Sequence, residues 1–286
     1  KRCAEHLKSL ASKHSLLLVD CWTALSEVNN KIQEKDSTKT IIGRDRMHVG
    51  AQGHFIMSNE FLTTQHVNKN VSHIIVEAAK NKIALSGNCI VSGLNANTTS
   101  VSFSSKAAAL PFPAPGEINP DSFFCFTDDM NADIIQVKGL KKGNYFIDID
   151  GTAIAKFSAE ELDKGVNLTK YHNTPQYQQA EKVLDKFKEY WKNERLLRAL
   201  KYVEYQHHND LKGIKSVEEL KTNMLSILEK YKSGDNYGFF TKMFESYIAN
   251  KPMEPELIAK AESIVQDIYA VNKPVAHAYK ISKAGD

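Results

Sequence analysis

Long apolar runs are missing from this chain of 286 residues. None approaches the roughly 20 consecutive residues that a spanning helix needs, so no membrane span is expected. Cysteine is sparse. Cys3, Cys21, Cys89 and Cys125 are the four, and no two of them form a Cys-x-x-Cys pair. That spacing argues against zinc and dithiol redox chemistry, and the thiols read as small buried apolar groups. Charge of one sign is not in excess either: 37 Lys and Arg against 34 Asp and Glu give a net charge of +3. Without a basic stripe interleaved with aromatics, nucleic acid is not an expected partner. No His-Glu-x-x-His or comparable ligand spacing occurs, and no metal or other cofactor is expected. The segment from Lys1 to Leu10 is interrupted by Glu5, His6 and Lys8, so it reads as an amphipathic helix and not as a signal peptide, which leaves the compartment unassigned. What remains is the composition of a soluble globular protein, 42% apolar and 25% charged.

Three regions follow one another. Residues 1–75 read as helix, strand, helix, loop, helix. Leu16-Leu17-Leu18-Val19, ending at Asp20, is the short continuous apolar run of a strand buried on both faces of a parallel sheet. Residues 82–157 lose helical spacing. Short β-type runs take over at Ile83 to Leu85, Cys89 to Val91, Val101 to Phe103, Phe123 to Phe126, Ile134 to Val137, Tyr145 to Ile149 and Thr152 to Phe157. Gly139, Gly143 and Gly151 fall at turns, and Pro111, Pro113 and Pro115 mark a stiff connection where no central strand can run. A small antiparallel sandwich is expected. Residues 158–286 are expected to be helical, with an extended tail from Lys273. Three stripes at three- and four-residue steps carry this expectation: Val183, Leu184, Phe187, Trp191, Leu197 and Leu200; then Val217, Leu220, Met224, Leu228 and Tyr231; then Leu257, Ala261, Ile264, Val265 and Ile268. Ser216 with Glu219 forms a capping box ahead of the second.

The run with the most chemistry is Asp45-Arg46-Met47-His48-Val49-Gly50-Ala51-Gln52-Gly53-His54. A carboxylate three residues before a histidine can hold one ring nitrogen and leave the other free to take a proton from a nucleophile. The run resembles the last block of the SGNH (GDSL-type) esterases and acylhydrolases, an Asp-x-x-His, often followed by Pro, ahead of a Gly-rich helix start. Val49 stands where Pro is common, which touches the stiffness of the loop and neither charge nor tautomer. The segment Val137-Lys138-Gly139-Leu140, Gly143-Asn144-Tyr145, Asp148-Ile149-Asp150-Gly151, Phe157 and Gly165-Val166-Asn167-Leu168 is also similar to an accessory β-region of some bacterial multi-domain members. The resemblance implies an α/β fold: residues 1–75 as the C-terminal part of a flavodoxin-like three-layer hydrolase domain, then a β-sandwich-like region and a helical region. It implies His48 as general base and Asp45 as its orienting partner in a Ser-His-Asp triad. No Gly-Asp-Ser and no Gly-x-Asn-Asp is present, so serine and oxyanion-hole donors are expected upstream of Lys1, in a part of the same domain that would be this chain's partner. Alone the chain is then expected to be nearly inert. Ester bonds of a small molecule or carbohydrate are the implied substrate.

Other motifs compete. Tyr145-Phe146-Ile147-Asp148-Ile149-Asp150-Gly151-Thr152 resembles the Asp-x-Asp-Gly-Thr signature of haloacid-dehalogenase-type phosphatases, which would make Asp148 and Asp150 the nucleophile and acid/base around Mg²⁺. Ser233-Gly234-Asp235-Asn236 could supply that family's later metal block. The same residues alternate as a β-hairpin with Asp150-Gly151 as its two-residue turn, and the helices after residue 158 leave no strands for the phosphatase sheet, so the hairpin is preferred. His54 reads as a helix-face histidine, and the adjacent His207 and His208 as a solvated pair on a helix. A non-catalytic carbohydrate-binding or scaffolding segment is the remaining alternative to an esterase.

Overall fold

A computed structural model describes residues 2–43, 45, 47–114, 119–122, 125–234 and 236–284. The chain divides into two compact units, Lys1–Ala180 with Pro274–Asp286, and Glu181–Lys273. In chain order the first unit contains helices α1 (Arg2–Lys13), α2 (Cys21–Lys35) and α3 (Ala51–Thr64), then strands β1 (Asn70–Glu77), β2 (Lys82–Gly87), β3 (Cys89–Asn97) and β4 (Ser100–Ala107). The short helix α4 (Phe126–Asp129), β5 (Ala132–Lys138), β6 (Asn144–Ile149), β7 (Thr152–Ser158), α5 (Ala159–Lys164) and β8 (Val166–Asn167) follow. Helix α6 (Pro175–Gln206) begins in the first unit and continues into the second, which holds α7 (His208–Leu211), α8 (Val217–Glu229), α9 (Tyr237–Asn250) and α10 (Glu254–Val271). The chain then returns to the first unit as β9 (Ala276–Lys283). The fold is mixed α/β, with two sheets and many helices.

The strands form a four-stranded sheet in the order β2-β1-β5-β8 and a five-stranded sheet in the order β3-β4-β9-β6-β7. Alternation decides which side chains they bury. In β6, Tyr145, Ile147 and Ile149 are fully buried while Phe146 and Asp148 are not. Ile74 and Val76 of β1, Ile135 and Val137 of β5, Val101 and Phe103 of β4 and Tyr279 and Ile281 of β9 complete one shared core. Each such side chain contributes about 1.5–3 kcal/mol by leaving water. Tyr145 can be wholly buried because its hydroxyl donates to the backbone oxygens of Lys141 (2.7 Å) and Thr98 (3.2 Å).

Several expectations need correction. Leu16 to Val19 form no strand, and Leu16 and Leu17 are 64% and 68% exposed. A strand exists only by pairing, and among the described residues no strand pairs with this run. The first 64 residues therefore build three helices and one isolated bridge, Ile42 with Val49, and among the described residues they build no three-layer sheet. The sandwich is not purely antiparallel, since β1 and β5 run parallel. It also begins earlier, at Asn70, and recruits β8 and β9 from the stretch expected to be helical or merely extended. Phe126 opens α4 instead of ending a strand; Phe123, Phe124 and Pro115 lie outside the described residues.

The second unit packs Leu200 and Val203 of α6 against Leu220, Met224, Ile227 and Leu228 of α8, Phe244 and Tyr247 of α9 and Leu257 of α10. The second and third stripes are thus largely buried, apart from Val217, whereas Phe187 and Trp191 of the first face solvent. Ser216 caps α8 by accepting from the Glu219 N–H at 3.1 Å. The Glu219 carboxylate accepts from the Lys215 N–H (2.8 Å), so only half of the expected box forms there. A complete box closes α5 instead, between Ser158 and Glu161.

Candidate functional site

The Asp45–His48 loop is built by its own backbone and by α2. Asn29 of α2 accepts through its side-chain oxygen from the Ile41 N–H (3.3 Å) and the Thr40 hydroxyl (2.8 Å). The Ile42–Val49 bridge closes the loop, the Gly43 N–H donates to His48 O at 2.6 Å, and the Gly50 N–H donates to Ile41 O at 3.2 Å. Gly50 is the N-cap of α3. One turn into α3, Gly53 lies so close to the loop that an added Cβ would stand 2.6 Å from Val49 Cβ. Glycine is required there by space. Ile41, Val28 of α2 and Ile56 of α3 form a small core beneath the loop. The next turn of α3 is held by an aromatic cluster, with Phe55 4.9 Å from Phe126 and Phe112 5.3 Å from Phe126, ring centroid to ring centroid.

Within this frame the two predicted residues meet. His48 Nδ1 lies 2.6 Å from Asp45 Oδ2, while Asp45 Oδ1 accepts from the backbone N–H groups of Met47 and His48, both at 3.0 Å. The hydrogen bond from His48 and then those two N–H groups hold the Asp45 carboxyl well below the usual carboxylate range. An ionised Asp45 makes Nδ1 the protonated nitrogen of a neutral His48, which leaves Nε2 as a proton acceptor. The His48 side chain is 83% exposed, with Met47 exposed beside it. Arg46 lies outside the described residues.

The acidic hairpin folds as a hairpin. Ile149 pairs with Thr152, and Asp150 (φ 52°) and Gly151 (φ 81°) occupy the two left-handed positions of a tight turn. Asp148 accepts from the Gly151 N–H at 2.8 Å. Asp150 turns to β9, accepting from the Ala278 N–H (2.7 Å) and lying 2.6 Å from His277 Nδ1. Each carboxylate has its own protein partners, and the two do not share one. Asp235, of the proposed later metal block, lies outside the described residues. Among the described residues no group of three or more His, Cys, Asp or Glu side chains could hold a metal ion. His54 is exposed on α3. His207 corrects its expectation: it is buried, edge-on to Phe244 at 5.0 Å, while His208 is exposed.

One polar cluster was not anticipated. Asp133 is buried in the sandwich, where it accepts from the Ser72 hydroxyl (2.5 Å) and from Gln176 Nε2 (2.9 Å); the same Nε2 lies 3.2 Å from the Tyr279 hydroxyl. Burial pushes the Asp133 carboxyl up, and the hydrogen bonds from Ser72 and Gln176 only partly offset it. The signal was in the alternation. Asp133 shares the inward phase of Ile135 and Val137, and His277 shares that of Tyr279 and Ile281, so each is a polar residue at a core position.

A scan of protein-family models matches none to this chain, and a search of curated proteins finds no match. Among solved structures the chain is similar to BT4096, described as a gut microbial diltiazem-metabolizing enzyme, with a TM-score of 0.82 and 24% identity. The match covers 99% of this chain and 66% of that one, so this chain spans just under two thirds of the longer protein. At that identity the likeness establishes the fold.

Proposed function

We propose that this chain is part of an SGNH-type carboxylic ester hydrolase, in which Asp45 orients His48 as the general base for a serine outside the chain. The observation that carries the reading is the 2.6 Å contact between Asp45 Oδ2 and His48 Nδ1, on a loop whose two N–H groups keep Asp45 ionised. In the proposed reaction His48 Nε2 takes the serine proton as the oxygen attacks the acyl carbonyl. It returns that proton to the leaving alcohol, and water then releases the acyl group by the same route. Preorganised N–H donors for the oxyanion would come from the rest of the hydrolase domain.

Two further observations support the reading. The exposed run Leu16-Leu17 has the composition of a sheet strand and the exposure of one without its sheet, which fits a domain completed by other residues. BT4096 is described as metabolizing diltiazem, and this chain would span part of a comparable enzyme. An acetyl ester, on a carbohydrate or a small molecule, is the proposed substrate class.

The test is turnover of an activated acetyl ester by the complete protein. His48→Ala is expected to remove most of it with the fold intact by circular dichroism. Asp45→Asn is expected to slow it by on the order of 10⁴-fold, the size of the same change in a serine protease. Turnover that survives His48→Ala unchanged refutes the reading.

A further inference from the structure

The helical unit contains a recess of about 520 Å³ that the esterase reading does not use. Leu211, Ile214 and Leu220 form its apolar wall, and Tyr247 of α9 closes one side. Three lysines are among its lining residues, Lys212, Lys215 and Lys251, and they are not equivalent. Lys251 is bonded to Glu204 and Glu254, and Lys201 pairs with the same two carboxylates, so that four-residue network is neutral as a whole. Burial would lower the Lys251 ammonium, yet its bonds to Glu204 and Glu254 hold it above its usual range. Tyr247 donates to Glu204 (3.3 Å), and burial with the Glu204 charge pushes its hydroxyl up to about 12, which keeps it a neutral wall at neutral pH.

Lys212 and Lys215 differ. Both are exposed, and among the described residues neither ammonium forms an ion pair, the nearby Glu219 carboxylate being taken up by the Lys215 backbone N–H. Two lysines whose ammonium groups make no ion pair among the described residues therefore stand beside an apolar wall whose neighbouring network is neutral. A neutral apolar ligand would fill the wall and leave the ammonium groups unused; a small hydrophilic anion would meet the charges and leave the wall wet. Only a molecule with both parts satisfies both.

We propose that this recess binds an amphipathic carboxylate, its chain or ring against Leu211, Ile214 and Leu220 and its carboxylate toward Lys212 and Lys215. A volume of this size lies within the range of small-molecule sites and leaves ample room for a short acyl chain or a ring. The proposal does not depend on the esterase reading, since it concerns residues of the helical unit alone.

Octanoate is the probe, with octanol and acetate as controls, titrated into the whole chain by isothermal calorimetry. Octanoate is expected to bind saturably at one site, at least tenfold more tightly than either control. Lys212→Ala with Lys215→Ala, two surface changes checked for fold by circular dichroism, is expected to weaken octanoate by about fivefold per charge and to leave octanol unchanged. Ile214→Asn, at a half-buried lining position and checked for fold in the same way, is expected to weaken octanoate and octanol alike. Octanol binding as tightly as octanoate, octanoate affinity unmoved by the lysine changes, or no saturable binding of octanoate each overturns the proposal.

Discussion

Replacing Asp133 by Asn is expected to stabilise the protein, by an amount that grows with pH. The carboxyl is buried and its folded-state pKa is raised above the ordinary value of 3.8. A carboxyl shifted in that direction contributes most below its unfolded value, and the contribution is lost as pH rises toward the folded value. Each pH unit in that window costs the wild type about 1.4 kcal/mol relative to a neutral isostere. Asparagine fits if Gln176 turns its amide over. Gln176 Oε1 is buried without a partner. After the turn it can accept from the new amide N–H and from the Tyr279 hydroxyl, while Ser72 still donates to the remaining oxygen. Asp133→Ala is different, because it strands the Ser72 donor and opens a void, at about 2–4 kcal/mol. Urea unfolding followed by circular dichroism, from about pH 4 to about pH 8, measures all three proteins. Near pH 4 wild type and Asp133→Asn should be alike, and the asparagine variant should gain from there upward. Wild-type stability that rises with pH relative to Asp133→Asn, or an alanine better tolerated than the asparagine, would refute the reasoning.

Asp150 should behave in the opposite sense. Burial raises its carboxyl, but the bonds from His277 and the Ala278 N–H win and hold it below its usual range, so its contribution is present above the unfolded value and lost as pH falls. The stability difference between wild type and Asp150→Ala, measured by thermal melts, should therefore shrink in acid. Asp148→Ala gives up one turn hydrogen bond, and in the complete protein it should leave ester turnover nearly unchanged and stability within about 1 kcal/mol; a phosphatase activity abolished by this change would reinstate Asp148 and Asp150 as a site. Gly53→Ala drives a methyl group into Val49. It should cost about 1–3 kcal/mol in urea unfolding and lower ester turnover by displacing the His48 loop.

The residues that touch their neighbours in sequence were legible from the sequence. Asp45 and His48 meet because a loop three residues long can bring a carboxylate to a ring nitrogen by itself, and Asp150-Gly151 turns because both positions tolerate positive φ. The stripes at Leu220, Met224 and Leu228 and at Leu257, Ile264 and Ile268 became buried faces, since a helix imposes its own period. Pairing at a distance was not legible. Nothing local distinguishes the tail at His277 from an extended end, and only the edges left by β4 and β6 make it the middle strand of a sheet. The same reason undid Leu16 to Val19, where the apolar run has strand composition and no neighbouring strand among the residues described here. A helix or a tight turn carries its hydrogen-bond partners within its own sequence; a strand finds them elsewhere in the chain, and so the tertiary structure decided both the sandwich and the buried Asp133 cluster inside it.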